Sequence, residues 1–324
     1  MKKLGIKLGA VLLAASFALA GCGSAAKGGN DAAAKKDDGK LKVTASFYPM
    51  YDFAKIIGGD KVEVKNMLSA NTEPHDWEPT PKDLVAIGDS NVFVYNGAGM
   101  ESWIDKVTQS AKNDKLIVVE ASKGIKLLKG EEEEDDSAKD SHDKDNHEHG
   151  AYDPHVWLAP ENAKVEMKNI MDAFVKADPK NKAYYEKNYE ENAKKLDELN
   201  DKYKTELSNT KKKDIIVAHQ AFGYLCEAYG LKQVPIEGLS PDSEPDAARM
   251  AEIANFAKKN DVKYIFFEEL VSPKVAKTIA KEVGAKAEVL NPIEGLTEQQ
   301  IKEGQDYFTI MNQNLQTLVK ALNS

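Results

Sequence analysis

The sequence predicts an α/β protein built in two halves, and three observations support this fold class. Short apolar runs bounded by turn residues alternate with helical patterns over most of the chain, which is typical of parallel sheets flanked by helices. Four strand-like runs precede a long helical pattern in the middle of the chain, and four more follow it. The length of 324 residues also favours two domains.

Strand-like runs and helical patterns alternate along the first half of the chain. Its strand-like runs lie at 41–47, 62–68, 92–95 and 116–120. Helical patterns lie at 49–57 and 81–87, and Thr80 can cap the second of these helices. This order of elements predicts one parallel sheet with helices on its faces.

A long helix is predicted in the middle of the chain. Helical patterns cover 161–177 and, after the break at Asp178-Pro179, 181–208. Apolar residues three or four positions apart form one stripe along the second pattern: Tyr185, Tyr189, Ala193, Leu196, Leu199, Tyr203 and Leu207. About 28 residues make a helix of roughly 42 Å. A helix of that length can join two lobes as a stiff strut, although a long surface helix of a single domain or a coiled-coil arm would show the same pattern.

The second half repeats the alternation. Its strand-like runs lie at 215–218, 233–236, 264–268 and 287–290, and its helical patterns lie at 246–259, 274–283 and 307–322. We therefore divide the chain into a signal peptide at 1–21, a tether at 22–40, an N-terminal lobe at 41–180, a linking helix at 181–210 and a C-terminal lobe at 211–324.

The N-terminus has the features of a lipoprotein signal peptide. Lysines precede the apolar segment 9–20, which is too short to span a membrane. This segment ends in Leu19-Ala20-Gly21-Cys22, which resembles the bacterial lipobox, whose cysteine is lipidated; an ordinary cleaved signal with an incidental cysteine is the alternative. Lipidated Cys22 would anchor the protein at the outer face of the cell membrane. Cys226 then has no disulfide partner, and we expect it to be a buried core residue.

An acidic, histidine-rich segment at 130–150 interrupts the N-terminal lobe. Between Glu131 and His149, ten acidic residues stand against two lysines, so no core can form from this segment. We interpret His142, His147 and His149 as an accessory loop that collects divalent cations weakly. A purely solubilising insertion is the alternative.

Three further histidines lie in ordered contexts. His75 and His155 each follow a proline, which favours a turn, and each precedes a tryptophan by two residues. His219 directly follows the apolar run 215–218. Imidazole is the commonest metal-binding side chain, and three rigidly held imidazoles are most of a zinc site.

A carboxylate is expected to complete the site, because ligands of parallel sheets bind outside the carboxyl ends of the strands. Glu294 lies in the loop 291–295 after the last strand-like run, and its position in that loop makes it the first candidate for the fourth ligand. The rivals are Glu268 and Glu269, which end a strand, and Asp242 and Glu244 in a proline-rich loop.

Composition and motifs argue against two classes of function. The net charge of −9 argues against nucleic acid as a partner, since phosphate binding needs a basic surface. The chain has no His-Glu-x-x-His, no Gly-x-Ser-x-Gly and no phosphate-binding glycine loop. We therefore expect no enzymatic activity, with a zinc hydrolase as the rival hypothesis.

Taken together, the motifs resemble those of the zinc/manganese solute-binding lipoproteins of ABC importers. The residues that carry the resemblance are Pro74-His75-Asp76-Trp77-Glu78-Pro79, Asp153-Pro154-His155-Val156-Trp157-Leu158, Ala218-His219-Gln220-Ala221-Phe222 and Asn291-Pro292-Ile293-Glu294, behind the lipobox. The resemblance implies two lobes, each a four-stranded parallel sheet flanked by helices, joined by one long rigid helix. It also places the metal ligands at His75, His155, His219 and Glu294.

The resemblance further implies a zinc receptor that delivers Zn²⁺ to an ABC permease powered by a separate ATPase. Manganese-selective members typically carry a carboxylate at the position of His219, and three imidazoles with one carboxylate suit zinc better than Mn²⁺. We expect a monomer. A manganese receptor and a surface adhesin are the alternative functions.

Overall fold

The computed structural model describes residues 39–111, 113–130, 152–241 and 245–324. Several predicted features lie outside the described residues: the signal peptide, the lipidation site Cys22, the histidines of the acidic loop, and the rivals Asp242 and Glu244. Within the described residues, no helix is long and apolar enough to cross a membrane.

The first half of the described chain forms a four-stranded sheet in which all neighbours are parallel. Its strands are β1 Leu41–Ala45, β2 Val62–Asn66, β3 Val92–Tyr95 and β4 Ile117–Glu120, in the order β2-β1-β3-β4. The strand β1 is shorter than the predicted run. Phe47 instead lies in extended backbone before the first helix, which has a proline in its first turn.

The second half repeats this sheet. Its strands are β5 Asp214–Val217, β6 Lys232–Pro235, β7 Tyr264–Phe267 and β8 Lys286–Val289, in the equivalent order β6-β5-β7-β8 and again all parallel. The predicted fold class is therefore confirmed: two parallel four-stranded sheets flanked by helices, with one long helix between them.

Ten α-helices are present in the described residues. They are α1 Tyr48–Gly58, α2 Pro81–Gly88, α3 Ile104–Ser110, α4 Pro160–Ala177, α5 Lys182–Ser208, α6 Gly223–Tyr229, α7 Ala247–Lys259, α8 Lys274–Val283, α9 Glu298–Lys302 and α10 Tyr307–Leu322. Thr80 forms the predicted cap of α2, as part of a capping box with Asp83. Sequence analysis missed α3 and α9. Each is short and buries a single residue, so neither leaves an apolar stripe in the sequence.

The long helix α5 is bonded to both halves of the chain. It packs against α1 and α4 of the first half and against α6 and α10 of the second half. Asn188 Nδ2 donates to the carbonyl of Ile57, 2.9 Å away in the first half, and Tyr203 Oη donates to the carbonyl of Met311, 2.6 Å away in the second. The helix is therefore a strut between the two sheets and not a free coiled-coil arm.

The main core is continuous between the halves. Trp157, fully buried, donates its indole N–H to the carbonyl of Pro292 at 2.7 Å, and its own carbonyl accepts from Tyr307 Oη at 2.8 Å. The ring of Phe47 packs edge-on against Trp157, with the ring centres 5.1 Å apart. The tryptophan that follows His155 thus anchors its turn in the core, and it also connects the two halves beside the candidate site.

Candidate metal centre

Four predicted side chains from four separate loops meet between the halves. His75 follows β2, His155 precedes α4, His219 follows β5 and Glu294 follows β8. One potential ligand atom from each lies within 4.8 Å of those of the other three. His155, His219 and Glu294 are buried, and the side chain of His75 is 10% exposed. Neither half of the chain supplies all four groups.

The distances between these atoms suit one tetrahedral ion. Glu294 Oε1 lies 3.2 Å from His75 Nε2, 2.9 Å from His155 Nε2 and 3.3 Å from His219 Nε2. His155 Nε2 lies 3.2 Å from His75 Nε2 and 3.3 Å from His219 Nε2. Ligand atoms about 2.0–2.1 Å from a tetrahedral zinc ion lie roughly 3.3 Å from one another. Three imidazole nitrogens and one carboxylate oxygen are also donors that zinc accepts.

Carboxylates outside the cluster orient two of the imidazoles. Asp153 Oδ1 accepts both from His155 Nδ1 at 2.8 Å and from the backbone N–H of His155 at 2.9 Å. Glu268 Oε1 lies 2.6 Å from His219 Nδ1. Such a bond keeps the proton on Nδ1 and leaves the Nε2 lone pair free for a metal.

Two of the rival carboxylates, Glu268 and Glu269, lie outside the cluster of ligand atoms. Glu268 bonds the far side of His219, and the Glu269 carboxylate accepts from Gln300 Nε2 at 3.1 Å. Glu294 is the carboxylate that the structure brings to the three Nε2 atoms. Asp153 was not singled out in the sequence, although the Asp-Pro-His spacing carries the signal: a carboxylate two residues before a histidine, across a turn.

The loop that presents Glu294 is held by a network of amide side chains. Ile293, fully buried, has a left-handed backbone with φ of 63°, which is unusual for a β-branched residue. Its N–H donates to Asn291 Oδ1 at 2.6 Å. Asn314 accepts from the backbone N–H of Asn291 at 2.9 Å and donates to its carbonyl at 2.7 Å. These bonds fix the strained turn that aims Glu294 at the histidines.

The buried ionisable groups of the cluster strongly shift one another's pKa values. Burial alone would raise the pKa of Glu294, but His219, His155 and His75 hold it well below its usual range. Burial opposes protonation of His219, yet Glu268 and Glu294 raise the pKa of its imidazole well above the ordinary value. The pKa of His155 is also raised, because hydrogen bonds to Asp153 and Glu294 outweigh burial. The cluster therefore favours a positive charge among the imidazoles, which a metal cation can supply.

Comparison with known proteins identifies the family. The profile of ZnuA, the periplasmic component A of zinc-uptake complexes, matches residues 43–321. The chain belongs to the ZnuA family. One relative is the high-affinity zinc uptake system protein ZnuA of Bacillus subtilis, which is 49% identical over 316 residues, covering 97% of each chain. The zinc-binding lipoprotein AdcA of Streptococcus pneumoniae is 42% identical over 284 residues, which cover 88% of this chain and 56% of AdcA.

Solved structures of similar proteins share the fold. The Zn(II)-bound ZnuA-like domain of Streptococcus pneumoniae AdcA matches with a TM-score of 0.75 and 39% identity, over 88% of this chain and all of that domain. The laminin-binding protein Lmb of Streptococcus agalactiae matches with a TM-score of 0.76 and 33% identity, over 87% of this chain and 99% of Lmb. The prediction of a zinc-type member of the family is confirmed, and zinc-binding relatives together with the His/Glu cluster support Zn²⁺ as the ligand.

Proposed function

We propose that this chain is a membrane-anchored, extracytoplasmic receptor that captures Zn²⁺ between its two halves and delivers it to an ABC permease powered by a separate ATPase. One observation carries the proposal: three imidazoles and one carboxylate, contributed by both halves, lie within 4.8 Å of one another. The Nε2 atoms of His75, His155 and His219 and Oε1 of Glu294 would hold the ion. Zinc is the transported substrate here.

The donor set favours zinc over manganese. Three nitrogen donors in a tetrahedral arrangement suit Zn²⁺, whereas Mn²⁺ prefers more oxygen donors and a higher coordination number. Asp153 and Glu268 add two negative charges behind the imidazoles and so favour a divalent ion further.

The site is built for binding and not for catalysis. Catalytic zinc sites keep a coordination position open for water, whereas four protein donors complete a tetrahedral shell. This supports the expectation that the protein is not an enzyme. Absence of zinc-dependent hydrolysis of model esters and peptides by the metal-loaded protein is the matching test.

Attachment to the membrane rests on the lipobox before Cys22. The pneumococcal relative AdcA is described as a lipoprotein, which supports the same attachment here. The B. subtilis relative is described as a component of a high-affinity zinc uptake system, which supports delivery to a transporter.

Complementation of zinc uptake tests the proposal. Cells that lack their own zinc receptor but retain the permease should regain growth in zinc-depleted medium when they express this chain. His219→Ala should fail to restore growth, and Cys22→Ala should release the protein from the membrane. Glu269→Ala serves as the control, because this carboxylate bonds Gln300 and not one of the three cluster histidines. Equal growth with the wild-type chain and His219→Ala would contradict the proposal.

Adhesion is a second candidate function, favoured by a single observation. The structurally similar Lmb is described as a bifunctional protein with adhesin and metal-transporting activity. Saturable binding of this chain to immobilised laminin would support adhesion, and binding no greater than that to albumin would exclude it.

A further inference from the structure

A cavity of about 390 Å³ lies between the halves, directly beside the metal cluster. Its wall includes Tyr48, Asp52, Asn66, Glu294, Gln305 and Asp306, and we call it the Asp52 cavity. Tyr48 and Asp52 belong to α1 and Asn66 ends β2, whereas Gln305 and Asp306 directly precede α10. Glu294 is thus part of both the cluster and the cavity wall.

The wall has acceptor atoms in need of donors. Asn66 Oδ1 and Gln305 Oε1 are buried and have no hydrogen-bond partner among the described residues. An unsatisfied buried acceptor is costly, so each amide gains by turning toward the cavity and accepting from a water molecule there. Both are neutral amide oxygens, which bind the water shell of a cation well.

The charges of the wall are mainly negative. Asp52, Glu294 and Asp306 contribute three carboxylates. Lys55 also lines the wall, and its ammonium group lies 5.1 Å from the centre of the Tyr51 ring. A concave surface lined by one sign of charge raises the local concentration of the opposite ion. The cavity therefore suits a hydrated cation better than an anion or an apolar molecule.

Because the metal ligands are buried, an ion needs a passage through the protein to reach them. His155 and His219 are fully buried and Glu294 is 2% exposed. Resting on the function proposed above, we propose that the Asp52 cavity is the antechamber through which hydrated Zn²⁺ reaches the cluster. Asp52 and Asp306 attract the ion, and Glu294 transfers it to the imidazoles. Asn66 and Gln305 accept hydrogen bonds from its water molecules once their amides turn toward the cavity. The partly exposed edge of His75 is the competing route.

Stopped-flow measurement of zinc association and dissociation tests the route. Ser69 is an exposed residue of the cavity wall, so Ser69→Trp should obstruct the passage without disturbing the core. A shared route for capture and release predicts that both rate constants fall together, by about tenfold, while their ratio stays within about twofold. Val118→Trp is the control, because Val118 is 40% exposed in a separate groove beside β4.

A second variant tests the electrostatic role. Asp306 caps α10 by accepting from the N–H of Thr309 at 2.7 Å, and asparagine is an equally good cap. Asp52 Oδ2 accepts from the N–H of Tyr307 at 3.0 Å, a bond that the Oδ1 of asparagine can also accept. Asp52→Asn/Asp306→Asn should therefore fold normally. Loss of two negative charges from the wall predicts an association rate constant about fivefold lower in dilute salt, with a smaller difference at high salt.

The outcomes of these experiments distinguish failure of the proposed entry route from failure of the proposed function. If the wild-type protein binds no zinc, both proposals fail. If it binds zinc tightly but Ser69→Trp and Asp52→Asn/Asp306→Asn retain wild-type rate constants, the route is wrong and the zinc receptor stands. Slower association of both variants, with normal rates for Val118→Trp, supports the antechamber.

Discussion

Glu268 bonds His219 on the side of the ring that faces away from the metal cluster. Its Oε1 lies 2.6 Å from His219 Nδ1, while Nε2 of the same ring lies 3.3 Å from Glu294 Oε1. The two carboxylates thus have different tasks, because one orients the imidazole and the other joins it as a ligand.

Removal of the orienting carboxylate should weaken zinc binding without removing a ligand. We expect Glu268→Ala to lower zinc affinity by about 10- to 100-fold, since the imidazole loses its fixed tautomer and orientation. Glu268→Gln, which can still accept a hydrogen bond, should retain more affinity than Glu268→Ala. Glu269→Ala is the matched control, because Glu269 bonds Gln300 and no imidazole. Wild-type affinity of Glu268→Ala in chelator competition would contradict this role.

The stability of the metal-free protein and the additional stabilisation by zinc should change with pH in opposite directions. The pKa values of His155 and His219 are raised in the folded protein, so their protonation stabilises the metal-free fold below the unfolded histidine pKa of about 6.5. That contribution is lost as the pH rises through the higher folded values. Zinc needs the same imidazoles free of protons at Nε2, so the stabilisation by zinc should decrease as the pH falls.

Thermal unfolding between pH 6 and pH 8.5 measures both trends. The metal-free protein should lose stability with rising pH, and the difference in melting temperature between the zinc-loaded and metal-free forms should grow. In His219→Ala both trends should be smaller. A zinc-induced shift that is the same at pH 6 and pH 8.5 would contradict proton–metal competition at these histidines.

The buried carboxyl group of Glu166 is expected to destabilise the folded protein. It is fully buried in α4, and neither carboxyl oxygen has a hydrogen-bond partner among the described residues. Burial, reinforced by nearby Glu101, raises its pKa well above the usual range. Glu166→Met, similar in shape and apolar, should raise the free energy of unfolding by about 1–3 kcal/mol. Glu166→Gln leaves polar atoms unsatisfied and should gain less; denaturant titration showing Glu166→Met below wild type would refute this assignment.

The acidic segment is predicted to assist capture. Deletion of residues 131–149 should slow zinc capture at limiting concentration, because it removes ten acidic residues and three histidines, and should leave the tight site intact. Zinc uptake from nanomolar solutions, compared with a variant whose segment is replaced by an uncharged linker of equal length, measures the effect. Equal uptake by the deletion variant, the linker variant and the wild type would show that the segment does not assist capture.

Much of this protein was predictable from local sequence. The apolar runs were sufficient for both sheets, since each run is bounded by turn residues and the inner strands β1, β3, β5 and β7 are mostly buried. The stripe from Tyr185 to Leu207 was sufficient for α5. The three imidazoles were predictable because proline and tryptophan mark the turns of His75 and His155. These signals are periodic or lie within a few residues of each other.

Features that depend on distant partners were harder to predict. The pairing of Glu268 with His219 joins residues 49 positions apart, so no local pattern distinguishes it from a fourth ligand. The left-handed turn at Ile293 depends on Asn314, a residue of α10. The antechamber depends on the meeting of α1, the end of β2 and the segment before α10, which only the folded chain reveals.

Competitive metal binding tests the central claim most directly. A form without the signal peptide and the lipidation site Cys22, residues 23–324, would be stripped with chelator, offered equimolar Zn²⁺ and Mn²⁺, and analysed for bound metal by elemental analysis. We predict one tightly held Zn²⁺ per chain with Mn²⁺ excluded, and loss of that ion in His219→Ala. Preferential binding of Mn²⁺, or tight zinc binding that survives His219→Ala, would contradict the assignment of the cluster as a zinc site.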